Sequence, residues 1–407
     1  MEPARITTYE DANEQLLYFT SSSLTSDDRY LIFISDRTGS PNIFGKDLSN
    51  GKVRQLTFNQ EGVLKSYVYF NGNENRGLGK ASISLDSERG KIYYLQGTKI
   101  MVVDLEGASR ELAELPKDQV TAFTHISNDG KRLCVPTTDA RALAADKLVN
   151  TSPGYTLGQK DKNEVITGKP DYDIDQRVRE ENLNSYLRVF DTDTGREVMA
   201  EKVPRAWITH VQFCPVNSDW ILYNHEWPAD CGINRLWLWD GTKHIRLRVE
   251  AEGRSRLDWT CHEMWQKDGQ AIIYHGKYQE GNAYIGRVNP DGSGRIEIKL
   301  PAAYQKYGHF TVGNQHNNWL VSDGYYRAPG DPVSEAWAGE WISIQKVDWE
   351  NRGIEWIPLC RHDSLWDGQD SHPHPIFSHS DQAVFFTANY QGQRAVYKVE
   401  IPLQSNN

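Results

Sequence analysis

The chain of 407 residues has little of what marks several large protein classes. It holds five cysteines, Cys134, Cys214, Cys231, Cys261 and Cys360, an odd number, widely spaced and without a C-x-x-C pair. A disulfide framework and a cysteine-rich zinc site are therefore not expected. No apolar run approaches the roughly 20 residues that a membrane-spanning helix needs. Met1 to Thr25 lacks the basic-then-apolar pattern of a secretory signal, so the sequence predicts a cytoplasmic protein with no membrane partner. An excess of positive charge is also missing: 45 Lys and Arg face 55 Asp and Glu, a formal charge of -10. That balance argues against nucleic acid as a partner. Helical periodicity is scarce. There is no P-loop, no G-x-G-x-x-G and no G-x-S-x-G elbow. His225-Glu226 and His262-Glu263 both lack the second His of an H-E-x-x-H zinc helix.

What is plentiful is aromatic side chains, with 13 Trp, 20 Tyr and 12 Phe, enough to exclude disorder as the global state. Short runs rich in Val, Ile, Tyr, Phe and Trp recur between Gly, Asp and Asn turns, which is the strand signal. The clearest unit spans Leu24 to Thr57: the end of one strand at L-T-S-D-D, then R-Y-L-I-F-I-S-D, I-F-G-K-D-L and V-R-Q-L-T. Comparable units begin near Ser82, Thr124, Thr209, Cys261, Gly308 and His372. Seven such units predict an all-β fold: a single-domain, seven-bladed β-propeller over 1–407, with blades of four antiparallel strands. The last unit shows only three good strands, and Arg5 to Tyr9 is expected to supply its outer one. Residues 137–184 interrupt the third unit with a polar stretch that reads as a long loop, not a separate domain.

Four histidines share one register. His210, His262, His309 and His374 each lie three residues before an apolar residue of the innermost strand: Phe213, Trp265, Val312 and Phe377. Propeller geometry then rings them around one mouth of the central channel. The loops between the second and third strands open on the same face. They carry His225 with Glu226, then Arg235, His275, and Asp323 with Tyr325 and Tyr326; the segment leading into unit seven adds Gln369 and His372. A single His in a strand usually bonds a neighbouring turn or faces solvent. Here the first three units lack it at this register, and Pro373 and Pro375 fix the backbone around His374. The pattern therefore points to a metal-binding or catalytic histidine cluster. His210, His225, Tyr325 and Tyr326 are candidates for substrate contact, the tyrosines by stacking on sugar faces.

At H-E-M-W (262–265), G-H-F (308–310) and Q-D-S-H-P-H-P (369–375) the chain resembles the oligogalacturonate lyases, polysaccharide lyase family 22. The resemblance extends along nearly the whole chain. It implies a bound Mn²⁺ and β-elimination of short α-1,4-linked galacturonides, the oligogalacturonide fragments of pectin. Residue by residue, it implies His309, Gln369, His372 and His374 as metal ligands, His262 as the base and Arg235 beside the reacting uronate. The chemistry is coherent. Elimination removes a proton α to a carboxylate, and a divalent cation offsets that carboxylate's charge. Three His alone would suit Zn²⁺ equally well, so the preference for manganese comes from the resemblance. The stretches 137–184 and 325–341 differ from the family pattern. A lyase for another uronide, a metal-dependent hydrolase or epimerase, and a non-catalytic glycan- or protein-binding propeller all remain as alternatives.

Overall fold

A computed structural model of the chain describes residues 1–62, 64–69, 78–142, 182–226, 235–249, 259–278, 280–301, 308–324, 341–364, 371–390 and 392–402. Its strands form seven antiparallel sheets, six of them built from consecutive chain segments and the seventh completed by the N-terminal strand Ala4–Arg5. Blade 1 holds Glu14–Leu16, Tyr30–Ser35, Asn42–Asp47 and Val53–Gln55, from the axis outward. The inner strands of blades 2 to 7 are Ile83–Asp86, the split pair Gln119–Val120 and His125–Ile126, then Val211–Cys214, Trp259–Trp265, Phe310–Val312 and Ile376–Phe377. The protein is a seven-bladed β-propeller. Among the described residues, no helix is long and apolar enough to cross a membrane.

The run Leu31-Ile32-Phe33-Ile34 shows why this sequence makes blades. All four side chains are fully buried. Leu31 and Phe33 pack with Phe385 and Val396 of blade 7, whereas Ile32 and Ile34 pack with Ile83 and Ile92 of blade 2. Side chains alternate across a strand, so a strand sandwiched between two sheets must be apolar on both faces. The core accordingly lies between the blades. The turns that follow the inner strands repeat as well. Thr25 donates to Asp27 (2.6 Å) in blade 1 and Ser127 to Asp129 (2.6 Å) in blade 3. One residue of the turn takes a left-handed backbone: Asp28, Gly130, Gly269 or Asp381, with φ of 57°, 70°, 70° and 53°.

Three expectations need adjustment. The inner strand of blade 1 is Glu14–Leu16, well before the expected strand end, and Leu24 makes only an isolated bridge to Leu31. In blade 7, strand pairing involves Ala4–Arg5 rather than the full Arg5 to Tyr9: Ala4 faces Lys398 and Arg5 faces Tyr397. The Ile6 and Thr7 amides both turn onto the Val396 carbonyl, which ends the ladder. In blade 3, Thr137–Asp139 still belongs to the strand Arg132–Asp139, and Asn184 begins the next one. Of the predicted loop, 143–181 lies outside the described residues.

Candidate metal centre and active site

His210 and His309 directly precede their inner strands, His374 lies two residues before its strand, and His262 lies within Trp259–Trp265. Their rings form an arc. The centroid distances are 6.4 Å from His210 to His262, 4.4 Å from His262 to His309 and 4.2 Å from His309 to His374. Blades 1 to 3, which lack a histidine here, contribute aromatics instead. Phe19 packs against all four rings, at 5.3–5.9 Å. Tyr18, Tyr67 and Phe123 close the same aromatic cluster. The inner strand of blade 1 ends early so that Tyr18 and Phe19 can reach this position.

Two of the four histidines have a backbone that side chains rarely adopt: φ is 43° at His262 and 46° at His374. Such residues cost of order 1–3 kcal/mol and collect at functional sites. At His262 the cause is a β-bulge. The ladder pairs Cys261 with His275 and Glu263 with Tyr274, so His262 is an extra residue. The bulge lets His262 and Glu263 serve the same region although they are adjacent in sequence.

His309, His372 and His374 each offer one ring nitrogen, and these atoms lie within 4.8 Å of one another. Asp323, at the end of the second strand of blade 6, holds this group in place. Its carboxylate accepts the His309 amide (2.7 Å), Nδ1–H of His309 (3.2 Å) and the His374 amide (3.3 Å). With Nδ1 protonated, Nε2 of His309 presents its lone pair, 3.5 Å from Nδ1 of His372. A carboxylate behind a histidine in this way is the usual support of a metal ligand. His374 is fully buried, yet among the described residues neither of its ring nitrogens has a hydrogen-bond partner. A buried polar atom without a partner costs about 1–3 kcal/mol. Burial, then the Lys80 ammonium, holds the His374 imidazole well below its usual range, so it is neutral and able to ligate. These residues fit a divalent ion.

Beside this group, Nδ1 of His262 lies 2.8 Å from Nε2 of His275. Burial and the neighbouring His309 and His275 hold His262 well below the usual histidine range. On the other flank, Arg235 enters from the segment before Leu236–Trp239. Its Nε donates to Glu263 Oε2 (3.2 Å) and its Nη1 to Glu226 Oε2 (3.1 Å). The two His-Glu pairs of the sequence thus send both carboxylates to one guanidinium. Burial would raise the Glu263 carboxyl, but Arg235 and His210 outweigh it and lower its pKa to about 2.

His210 is buried with both ring nitrogens engaged. The Tyr67 hydroxyl donates to the Tyr18 oxygen (2.6 Å), the Tyr18 hydroxyl donates to Nε2 of His210 (3.0 Å), and Nδ1–H donates to Glu263 (3.1 Å). In the structure His210 supports Glu263. The His225 ring packs on Tyr223 and Trp237, and burial lowers it to about 3. Gln369, Tyr325 and Tyr326 lie outside the described residues. Sequence reasoning missed Tyr18, Tyr67 and Glu263 as parts of the site. The only cue was the pair of His-Glu dipeptides, which the missing H-E-x-x-H spacing set aside.

Removing Glu263 should be costly. Glu263→Ala leaves the buried Arg235 with Glu226 as its remaining carboxylate, and breaking a buried pair costs up to about 3–5 kcal/mol. Glu263→Gln keeps an acceptor and should lose less. Because the folded carboxyl titrates near 2, below its usual 4.5, its contribution is complete at neutral pH and is lost as pH falls from about 4.5 toward 2. Urea unfolding of the three proteins at neutral pH checks this; equal midpoints for all three would refute it.

A family model described as oligogalacturonate lyase matches residues 180–405. An oligogalacturonide lyase of Pectobacterium atrosepticum is 28% identical over 211 residues, 48% of this chain and 50% of the relative. An oligogalacturonate lyase of Dickeya dadantii is 23% identical over 403 residues, 95% of this chain and 89% of the relative. Among solved structures, an oligogalacturonate lyase in complex with manganese superposes with a TM-score of 0.72 at 21% identity, over 98% of this chain and 92% of that one. The Vibrio parahaemolyticus oligogalacturonate lyase gives 0.70 at 21% identity, over 98% and 93%. The structural likeness carries the fold, and the family match reaches from the third blade through the last: the chain belongs to the oligogalacturonate lyases, a family of polysaccharide lyases.

Proposed function

We propose that the protein cleaves short α-1,4-linked galacturonides derived from pectin by β-elimination, with Mn²⁺ as its metal and the cytoplasm as its setting. One observation carries this reading: three histidines suited to a single ion stand beside a fourth, unprotonated histidine, in a chain of this family. His309, His372 and His374 would hold the ion, with Gln369 as a further ligand. When bound, the ion neutralises the uronate carboxylate and stabilises the charge that develops beside it.

The remaining roles belong to the chain. In the tautomer where Nδ1–H of His262 donates to Nε2 of His275, Nε2 of His262 carries the lone pair that takes the C5 proton. His275 fixes that tautomer, and burial keeps its own ring neutral, lowered to about 3. Arg235 meets the substrate with a guanidinium whose orientation Glu226 and Glu263 fix. Phe19 and its aromatic neighbours exclude water from the inner side of the histidines.

Incubation with digalacturonate and trigalacturonate, with and without Mn²⁺, tests the reading. Elimination yields a conjugated uronate with ultraviolet absorbance, and the product masses sum to that of the substrate. Products that have gained one water would establish a hydrolase instead. No cleavage in either condition would leave a binding propeller.

A further inference from the structure

Cys261 lies between Thr260 and His262 in the inner strand of blade 5, and the proposed reaction gives it no role. In the ladder it pairs with His275, and the bulge that follows brings His262 alongside. One ligand atom from each of Cys261, His262 and His275 lies within 4.8 Å of the others. Cys261 is also the least buried of the four described cysteines. We propose that these three residues form a second metal site, selective for thiophilic divalent ions such as Zn²⁺ and Cd²⁺.

The donor set decides the selectivity. One sulfur and two imidazoles suit Zn²⁺ and Cd²⁺, whereas Mn²⁺ prefers oxygen ligands and gains little from a thiolate. The neighbouring group of His309, His372 and His374 contains no sulfur. Three protein ligands also leave a position open for water. Binding is a proton-for-metal exchange without redox change. The Cys261 S–H bond breaks, a metal–sulfur bond forms, and the proton leaves to solvent. Burial pushes this thiol up to about 12, so the metal must drive the deprotonation.

Occupancy has a consequence for catalysis, which rests on the reading of His262 as the base. The two imidazole atoms already facing each other are Nδ1 of His262 and Nε2 of His275, 2.8 Å apart. A metal bound to both replaces the proton between them. His262 must then carry its proton on Nε2, the atom that has to be empty to accept the substrate's. The same ion that fills the site therefore blocks the base.

The test is a Cd²⁺ titration of the protein preloaded with Mn²⁺, following metal content, the ultraviolet thiolate-to-cadmium absorption band and the rate of elimination on one sample. The expected result is a second equivalent of metal per chain, the appearance of the band and a loss of turnover of tenfold or more. Cys261→Ser and, separately, His275→Gln should lose the band and the second equivalent while keeping the first. The Cys261→Ser rate, relative to its own cadmium-free value, should resist Cd²⁺. Metal content that stays at one ion, with Cd²⁺ merely replacing Mn²⁺, would overturn the site. So would a band that survives in Cys261→Ser. A second equivalent and a band with undiminished turnover would uphold the site and overturn the role of His262 as base.

Discussion

Replacing His262 with alanine should slow elimination by roughly 10²–10⁴-fold, the usual contribution of a positioned base, and leave the Mn²⁺ content of the protein unchanged. The register alone would make His262 one more ligand, because it occupies the same place in its blade as His309 and His374. Geometry separates them. The three-histidine group consists of His309, His372 and His374, and Asp323 contacts His309 and His374. Nδ1 of His262 is directed to Nε2 of His275 instead. Elimination needs a nitrogen free of the cation, since an imidazole nitrogen bound to a metal has no lone pair left for a proton. Metal analysis and the elimination rate on the same His262→Ala preparation decide the matter. Loss of Mn²⁺ would make His262 a ligand of the three-histidine site, and near-normal turnover would remove it from the reaction. His262→Gln provides a control for folding at the bulge, since it keeps a side-chain amide near His275 without a base.

The sequence showed what repeats and concealed what does not. Blades recur with a nearly constant turn chemistry, so the propeller and the register of four histidines were visible from spacing alone. The inner strand of blade 1 was not. It consists of Glu14, Gln15 and Leu16, all fully buried although two are polar. Glu14 is paired there with Arg37, which lies 23 residues away in sequence. A triplet with two polar residues carries no strand signal, and only the assembled blade explains it. The bulge at His262 was hidden for a related reason. A bulge is a property of the pairing with Ile272–Lys277, not of the residues that form it. Without it, Glu263 would alternate away from His262, and the convergence of Glu226 and Glu263 on Arg235 could not be read from two separate His-Glu dipeptides. The sequence places Asp323 at the mouth of blade 6, but its link to both His309 and His374 exists only in three dimensions.

His374→Ala should empty the metal site and abolish turnover while the propeller stays folded. Wild-type protein is expected to hold about one divalent ion per chain in the three-histidine group, the usual outcome when neutral ligands converge on one point. His374 accepts and donates no side-chain hydrogen bond within the described protein. Its removal therefore breaks no side-chain hydrogen bond among the described residues and leaves a small cavity. Its backbone amide, which donates to Asp323, remains. Asp323→Asn should act more gently. It keeps an oxygen near Nδ1 of His309 but loses the charge that fixes that tautomer, and metal affinity should fall about 10–100-fold, as for other residues that stand behind a ligand. Metal content and thermal unfolding, each with and without added Mn²⁺, separate the cases. An ion at 100 times its dissociation constant stabilises the folded state by about 2.7 kcal/mol. The wild-type midpoint should rise accordingly, Asp323→Asn should require more Mn²⁺ for the same rise, and His374→Ala should not respond. If His374→Ala binds as much metal as wild type and shows the same rise, the ligand assignment is wrong, and the two buried nitrogens of His374 need another partner.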